Sequence, residues 1–184
     1  MLINDILEEQ KLRRARVQPH LWFVPFSIAA VLQEIRDRHF SHLTETIDMV
    51  VVNRGPLAFI VKSAAQATIY IHQILNHGDT PAEVISLVCK HELLHLQIGS
   101  AVVNGRKTDH PPEFWEAEMG IAPERVVAWT WIWVNLGPCL KRRPKLERID
   151  VLPSWREVWN RPKLSLADCI SMCRSTPVPK EAAW

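Results

Sequence analysis

No stretch of this 184-residue chain stays apolar for the ~20 residues that a membrane-spanning helix needs. The nearest approach, from Val126 to Leu140, is broken by Asn135, Gly137 and Pro138, so no membrane partner is expected. Cysteine is scarce, and Cys89, Cys139, Cys169 and Cys173 show none of the paired CxxC spacing of a zinc ribbon. The first residues, MLINDILEEQKLRRARV, mix charges where a secretory leader carries an apolar run. Reduced thiols and a cytoplasmic location are the expectation. Neither sign of charge is in large excess: the formal net charge of +2 is too small to require a polyanionic partner. Internal repeats and low-complexity tracts are absent as well.

What is present is enough apolar material, 47% of residues, for one ordinary core. The expected division is a core with N-terminal helices over residues 1–120 and a Trp-rich, basic extension over 121–184 packed on it. Charge is uneven between the two ends: residues 1–118 hold 11 basic and 14 acidic side chains, residues 119–184 hold 11 and 6. In the basic third, Lys141, Arg142, Arg143, Lys145 and Arg148 are candidate phosphate contacts for a nucleic-acid partner. Trp115, Trp129, Trp131, Trp133, Trp155 and Trp159 are candidate stacking platforms for unpaired bases. Against this stands a solvated charged face with the tryptophans covering the core.

Hydrophobic periodicity predicts helix in two pieces over the first forty-odd residues, separated by Pro19 and Pro25, the second capped by Ser27. TIDMVVV and LAFIVKS read as strands around the turn at Asn53 to Pro56. ATIYIHQIL is a third strand, with Ile69 and Ile71 on one face and Thr68, Tyr70 and His72 on the other. Thr80 as N-cap and Pro81 at the first helical position open a long, largely apolar helix through AEVISLVCKHELLHLQI. Residues 100–109 read as a loop, EFWEAEMG as a helix started by Pro111 and Pro112, and PERVVAWTWIWVNLGP as another helix. KRRPKLER reads as a basic linker, and LPSWREVW and SLADCISMC as short helices capped by Ser154 and Ser165.

The chemistry concentrates in HELLH. His91 and His95 stand one helical turn apart on one face with Glu92 beside them, and His110 follows after fourteen intervening residues. A buried helix that carries His, Glu and His requires compensation for its polar groups, and metal coordination supplies it. Three imidazoles, His91, His95 and His110, fill the ligand count of a catalytic zinc site that keeps one position open for water. Glu92 then stands where it can take a proton from the water and later deliver one to a leaving amine. Glu116 is a second candidate for third ligand, and Asp109 a candidate to orient a ligand histidine. Tyr70 and His72 belong to the strand expected to border the cleft, where a peptide could add as an extra strand; for His72 a structural role is the alternative. His20, His39, His42 and His77 have no ligand spacing, Cys89 packs as a small hydrophobe, and Cys169 with Cys173 are a further metal-binding idea.

HELLH, His110 and the following PEFW together resemble the SprT-like zinc metallopeptidases, the group of the bacterial SprT proteins and the eukaryotic Spartan proteases. PFSIAAVLQEIRDRHFSHL is similar to that family's helix before the sheet, and the similarity spans roughly residues 26–118. The family's cysteine-based zinc ribbon has no counterpart here. The resemblance implies an α+β zincin core with a small antiparallel or mixed three-stranded sheet, followed here by a mainly helical extension. It also implies Zn2+ held by His91, His95 and His110, and hydrolysis of protein or peptide substrates with Glu92 as general base. A zinc-holding scaffold that cuts nothing, and a nucleic-acid-associated protein of this type, are the competing readings.

Overall fold

The computed structural model describes residues 23–175, with side chains as far as Met172. The first helical piece, His20 and the Cys173 thiol lie outside the described residues. Ser27 accepts a hydrogen bond from the Ala30 amide at 3.2 Å and so caps helix α1, Ile28–His39, as expected. Ile28, Leu32 and Ile35 recur at helical spacing and are buried, which turns one face of α1 to the core.

Three strands follow: β1 (Thr46–Val52), β2 (Ala58–Ser63) and β3 (Gln66–His72). They form a mixed sheet in the order β1-β3-β2, with β3 parallel to β1 and antiparallel to β2. Strand β3 is therefore central. Ala67, Ile69 and Ile71 are wholly buried on its inner face, as the alternation predicted. Both edges of β3 are paired, so the expectation that a peptide adds beside Tyr70 and His72 is overturned: no edge is left for it. Tyr70 instead stacks on Phe59 of β2 at 4.6 Å, and His72 caps the turn Gln73–Leu75 by accepting from the Ile74 amide at 3.1 Å.

Helix α2, Ala82–Gln97, crosses the sheet and packs on α1, β2 and the later helix α4 (Arg125–Leu136). Its N-cap is Pro81, and the side chain of Thr80 makes no capping bond, contrary to the sequence expectation. The extended backbone of Pro81 moves the helix start one residue on. All eleven residues from Val84 to Leu94 except Ser86 are buried, which fits a helix apolar over most of its surface.

Two segments read as irregular are hairpins. Residues 100–109 contain β4 (Ala101–Val103) and β5 (Arg106–Thr108), joined by Asn104 and Gly105 at φ 53° and 74°. The left-handed pair at Asn-Gly is the tight turn that such strands need. KRRPKLER is not a linker: it holds β6 (Leu140–Arg143) and β7 (Arg148–Val151), paired antiparallel across a 3-10 turn at Pro144–Leu146. Their charged faces are exposed while Leu140 and Ile149 point into the core. The β7 backbone is bonded to the segment before β2, with Leu57 N donating to Ile149 O at 2.8 Å and Val151 N to Gly55 O at 3.1 Å.

Between the hairpins lie α3 (Pro112–Ile121) and α4, both helical as read. Two short helices close the described chain, α5 (Trp155–Trp159) and α6 (Leu166–Ser175). Ser165 caps α6 reciprocally with Asp168, whereas Ser154 occupies the cap position of α5 without a side-chain bond. Trp129, Trp131 and Trp155 are buried in the core, and Trp131 donates to Leu164 O at 2.8 Å. These three are packing residues, closed to bases. The molecule is thus α+β. Among the described residues no helix is long and apolar enough to cross a membrane.

Candidate metal centre

Helix α2 delivers His91 and His95 to one face, their ring centroids 5.1 Å apart. His110 arrives from the other side, where the β4–β5 hairpin ends and Pro111 caps α3. Its Nε2 lies 3.1 Å from Nε2 of His91. One ring nitrogen from each of the three histidines falls within 4.8 Å of the others. Two nitrogens bonded at about 2.0–2.1 Å to one tetrahedral zinc are separated by about 3.4 Å. The set therefore fits a single small divalent cation with only modest ring rotation.

Phe114 forms the floor. Its ring is wholly buried and lies 5.0, 4.7 and 4.8 Å from the centroids of His91, His95 and His110. Trp115 lies almost flat on His110, at 5.1 Å and 21°. The PEFW string thus has a physical role here: consecutive aromatic residues at the start of α3 brace all three imidazoles.

Two carboxylates hold the outer nitrogens. Glu118, fully buried on α3, lies 2.7 Å from His91 Nδ1 and also receives the Arg125 guanidinium. Burial pushes its carboxyl upward, but the hydrogen bonds and charges of His91 and Arg125 outweigh this and hold it below its ordinary range. Glu147 comes from the β6–β7 turn, where its own backbone is left-handed at φ 48°. One of its oxygens receives Thr108 Oγ1 at 2.8 Å, Asp109 N at 2.9 Å and His110 N at 3.1 Å, and stands 3.1 Å from His110 Nδ1. A carboxylate on the free ring nitrogen fixes the tautomer and plane of a ligand histidine.

Among the glutamates that follow His110, the sequence reading favours Glu116 over Glu113 and Glu118 as a ligand, and it does not single out Glu147. Asp109, the sequence candidate to orient a ligand histidine, accepts from Ser100 Oγ at 2.6 Å and closes the hairpin instead. Glu116 is exposed on the far side of α3 and does not join the cluster.

Glu92 is buried beside His91. Burial, reinforced by the charge of Glu118 and opposed by that of His91, pushes its carboxyl up to about 7. Burial and the neighbouring His91 and His110 push His95 down to about 3, and burial followed by His91 lowers His110 against the pull of Glu147. Neutral imidazoles are the form that binds metal. Cys89 is buried with its thiol pushed up to about 12 by desolvation and then by Glu92, so it is an inert packing group. Lys90, also buried, is tied to Glu124 at 2.7 Å.

The sequence matches no protein-family model, and no curated protein matches it. The reading of the site rests on its own chemistry. His91, His95 and His110 offer three nitrogen ligands, and the described residues add no fourth side chain to that group.

Proposed function

We propose that the protein is a zinc-dependent metallopeptidase with a zincin-type core, akin to the SprT-like group, that hydrolyses peptide bonds with Glu92 as general base. The observation that carries this reading is the gathering of three ring nitrogens within 4.8 Å, with buried Glu92 next to one of them on the same helix. Three protein ligands suit a catalytic site, because structural zinc takes four. All three are imidazoles, which favours zinc among the common divalent ions.

When bound, such a cation supplies Lewis acidity, acidifying water and polarising a carbonyl. The chain's own residues supply the rest. His91 and His110 are kept in register by Glu118 and Glu147, and Phe114 and Trp115 fix the ring planes. Glu92, held near neutrality, can accept a proton from attacking water and return it to the departing amine nitrogen. No covalent link to the protein is required, which agrees with the inert state of Cys89.

Metal analysis of the purified full chain tests the reading together with hydrolysis of a denatured protein such as casein. About one zinc per chain is expected, and Glu92→Gln should keep the zinc while losing at least ~100-fold in rate. Undiminished hydrolysis by that variant removes Glu92 from the mechanism. Full zinc occupancy with no hydrolysis by the unmodified protein leaves the scaffold reading.

A further inference from the structure

Arg125, the first residue of α4, stands behind two of the three candidate ligands at once. Its Nε donates to Oε2 of Glu118, while Oε1 of the same carboxylate lies 2.7 Å from Nδ1 of His91. The carboxylate is thus held at both ends. Rotation about the last bond of a glutamate side chain is broad, so an oxygen held by one partner alone can swing out of the imidazole plane. With Arg125 on the second oxygen, the first stays where it aims the His91 ring. The guanidinium carbon also lies 5.7 Å from the centre of the Trp115 ring, inside the ~6 Å reach of a cation–π contact. Trp115 in turn lies almost flat on His110. One guanidinium therefore backs His91 through Glu118 and His110 through Trp115.

A buried carboxylate requires a counter-charge whatever lies beyond it, so stability alone explains one ion pair at this corner. The preceding residue shows why there are two. Glu124 takes Lys90 Nζ at 2.7 Å and Ser86 Oγ at 2.8 Å, both from α2, and the Lys90 and Glu124 side chains are only 9% and 14% exposed. That pair already ties the start of α4 to α2. Arg125 instead makes its contacts on α3, with the two side chains that face the ligands. The residue type fits this task. A guanidinium bonds an oxygen in its own plane and lies on an aromatic ring by its face, a combination that the point charge of a lysine does not offer.

We infer that Arg125 is a positioning residue for the metal centre: it locks Glu118 and Trp115, and through them the ring planes of His91 and His110, before a cation arrives. The inference rests on the metal centre of the peptidase reading, and its readout is metal binding rather than cleavage. The corner between α3 and α4, outside HELLH and apart from His110, thereby becomes part of the metal-binding apparatus.

Zinc affinity of the full chain is read by competition against a chromophoric chelator, together with urea unfolding of the zinc-free forms and the visible spectrum of the cobalt-loaded forms. Arg125→Met should lose about tenfold or more in zinc affinity, in the range of other groups that orient ligands, and should alter the cobalt bands. Arg125→Lys keeps the charge without the fork or the flat face and should still lose about threefold or more. Glu124→Gln breaks the neighbouring pair and is the control: the urea midpoint should fall while zinc affinity stays within about twofold and the cobalt bands hold. In a Glu118→Gln background the further loss from Arg125→Met should shrink to about threefold or less, because the route to His91 is already cut. Zinc affinity within about twofold of the parent in Arg125→Met, with a lowered urea midpoint, would make the arginine a counter-charge and nothing more, and overturns the inference. An equal loss of zinc in Glu124→Gln overturns it too, since the corner would then act only by holding helices together. So does an undiminished loss in the Glu118→Gln background. Should Arg125→Met not fold, Arg125→Lys carries the same test, and parental zinc affinity with a parental cobalt spectrum in that variant is the overturning result. Arginine-dependent zinc binding without any hydrolysis by the unmodified protein would sink the peptidase reading alone, whereas hydrolysis by a protein whose zinc affinity ignores Arg125 would sink the positioning role alone.

Discussion

Removing the Glu147 carboxylate should loosen zinc without unfolding the protein. Glu147 reaches His110 from 37 residues away, and its Oε2 is the meeting point for Thr108, the Asp109 and His110 amides and His110 Nδ1. In Glu147→Ala the imidazole loses the partner that fixes its plane, and loss of such a partner typically costs about 10–100-fold in metal affinity. The side chain is 24% exposed, so water can replace part of what the two amides and the hydroxyl lose. The stability cost in zinc-free protein should therefore stay near the lower end of the ~1–3 kcal/mol for unsatisfied buried groups. Glu147→Gln keeps the shape and an acceptor oxygen without the charge, and should lose only about threefold to tenfold in zinc affinity. Competition against a chromophoric chelator reads the affinity, and urea unfolding of the zinc-free forms reads the stability. If Glu147→Ala binds zinc within about twofold of the parent while His110→Ala binds it far more weakly, the carboxylate does not orient the ligand.

Three further outcomes follow from buried or strained groups. Glu118→Ala strips the fully buried partner from both His91 and Arg125 and should destabilise the zinc-free protein on the order of 3 kcal/mol, read as a lowered urea midpoint. Burial lowers the His72 ring to about 4, so between about pH 6.5 and 4 the unfolded chain binds a proton that the folded chain refuses. Stability should fall as pH drops through that window, by on the order of 3 kcal/mol from this group, and His72→Asn should flatten that part of the profile in urea titrations at stepped pH. Ala64 sits at φ 46° in the β2–β3 turn, a region costly for any side chain. Ala64→Gly should raise the thermal midpoint, corresponding to about 0.5–1 kcal/mol, and a lowered midpoint would show that the turn is not strained.

How much of this could be read from the residues depends on the range of the interactions. Ser27 and Ser165 are local signals, a hydroxyl three residues from the amide it accepts, and both caps were legible. So was the pairing of His91 with His95, which helical geometry fixes, and the strand alternation at Ala67, Ile69 and Ile71. The place of β3 in the middle of the sheet was not, because alternation states which face is buried and says nothing of which strands lie alongside. The two hairpins are hidden because three- and four-residue strands carry too little periodicity, and the local hairpin signal in the first is the Asn104-Gly105 pair alone. Thr80 misled because a hydroxyl before proline has the composition of a cap without the geometry. Glu118 had one usable signal, its buried position on the inner face of α3 behind Phe114; Glu147 had none, since only the folded β6–β7 turn carries it to His110.

Zinc K-edge X-ray absorption of the zinc-loaded full chain examines the three-imidazole centre itself. The expected spectrum shows three imidazole nitrogens and one oxygen at about 2.0–2.1 Å, with the outer-shell scattering of the rings. A sulfur shell at about 2.3 Å, or a spectrum unchanged in His110→Ala, would mean that the ion lies elsewhere in the protein.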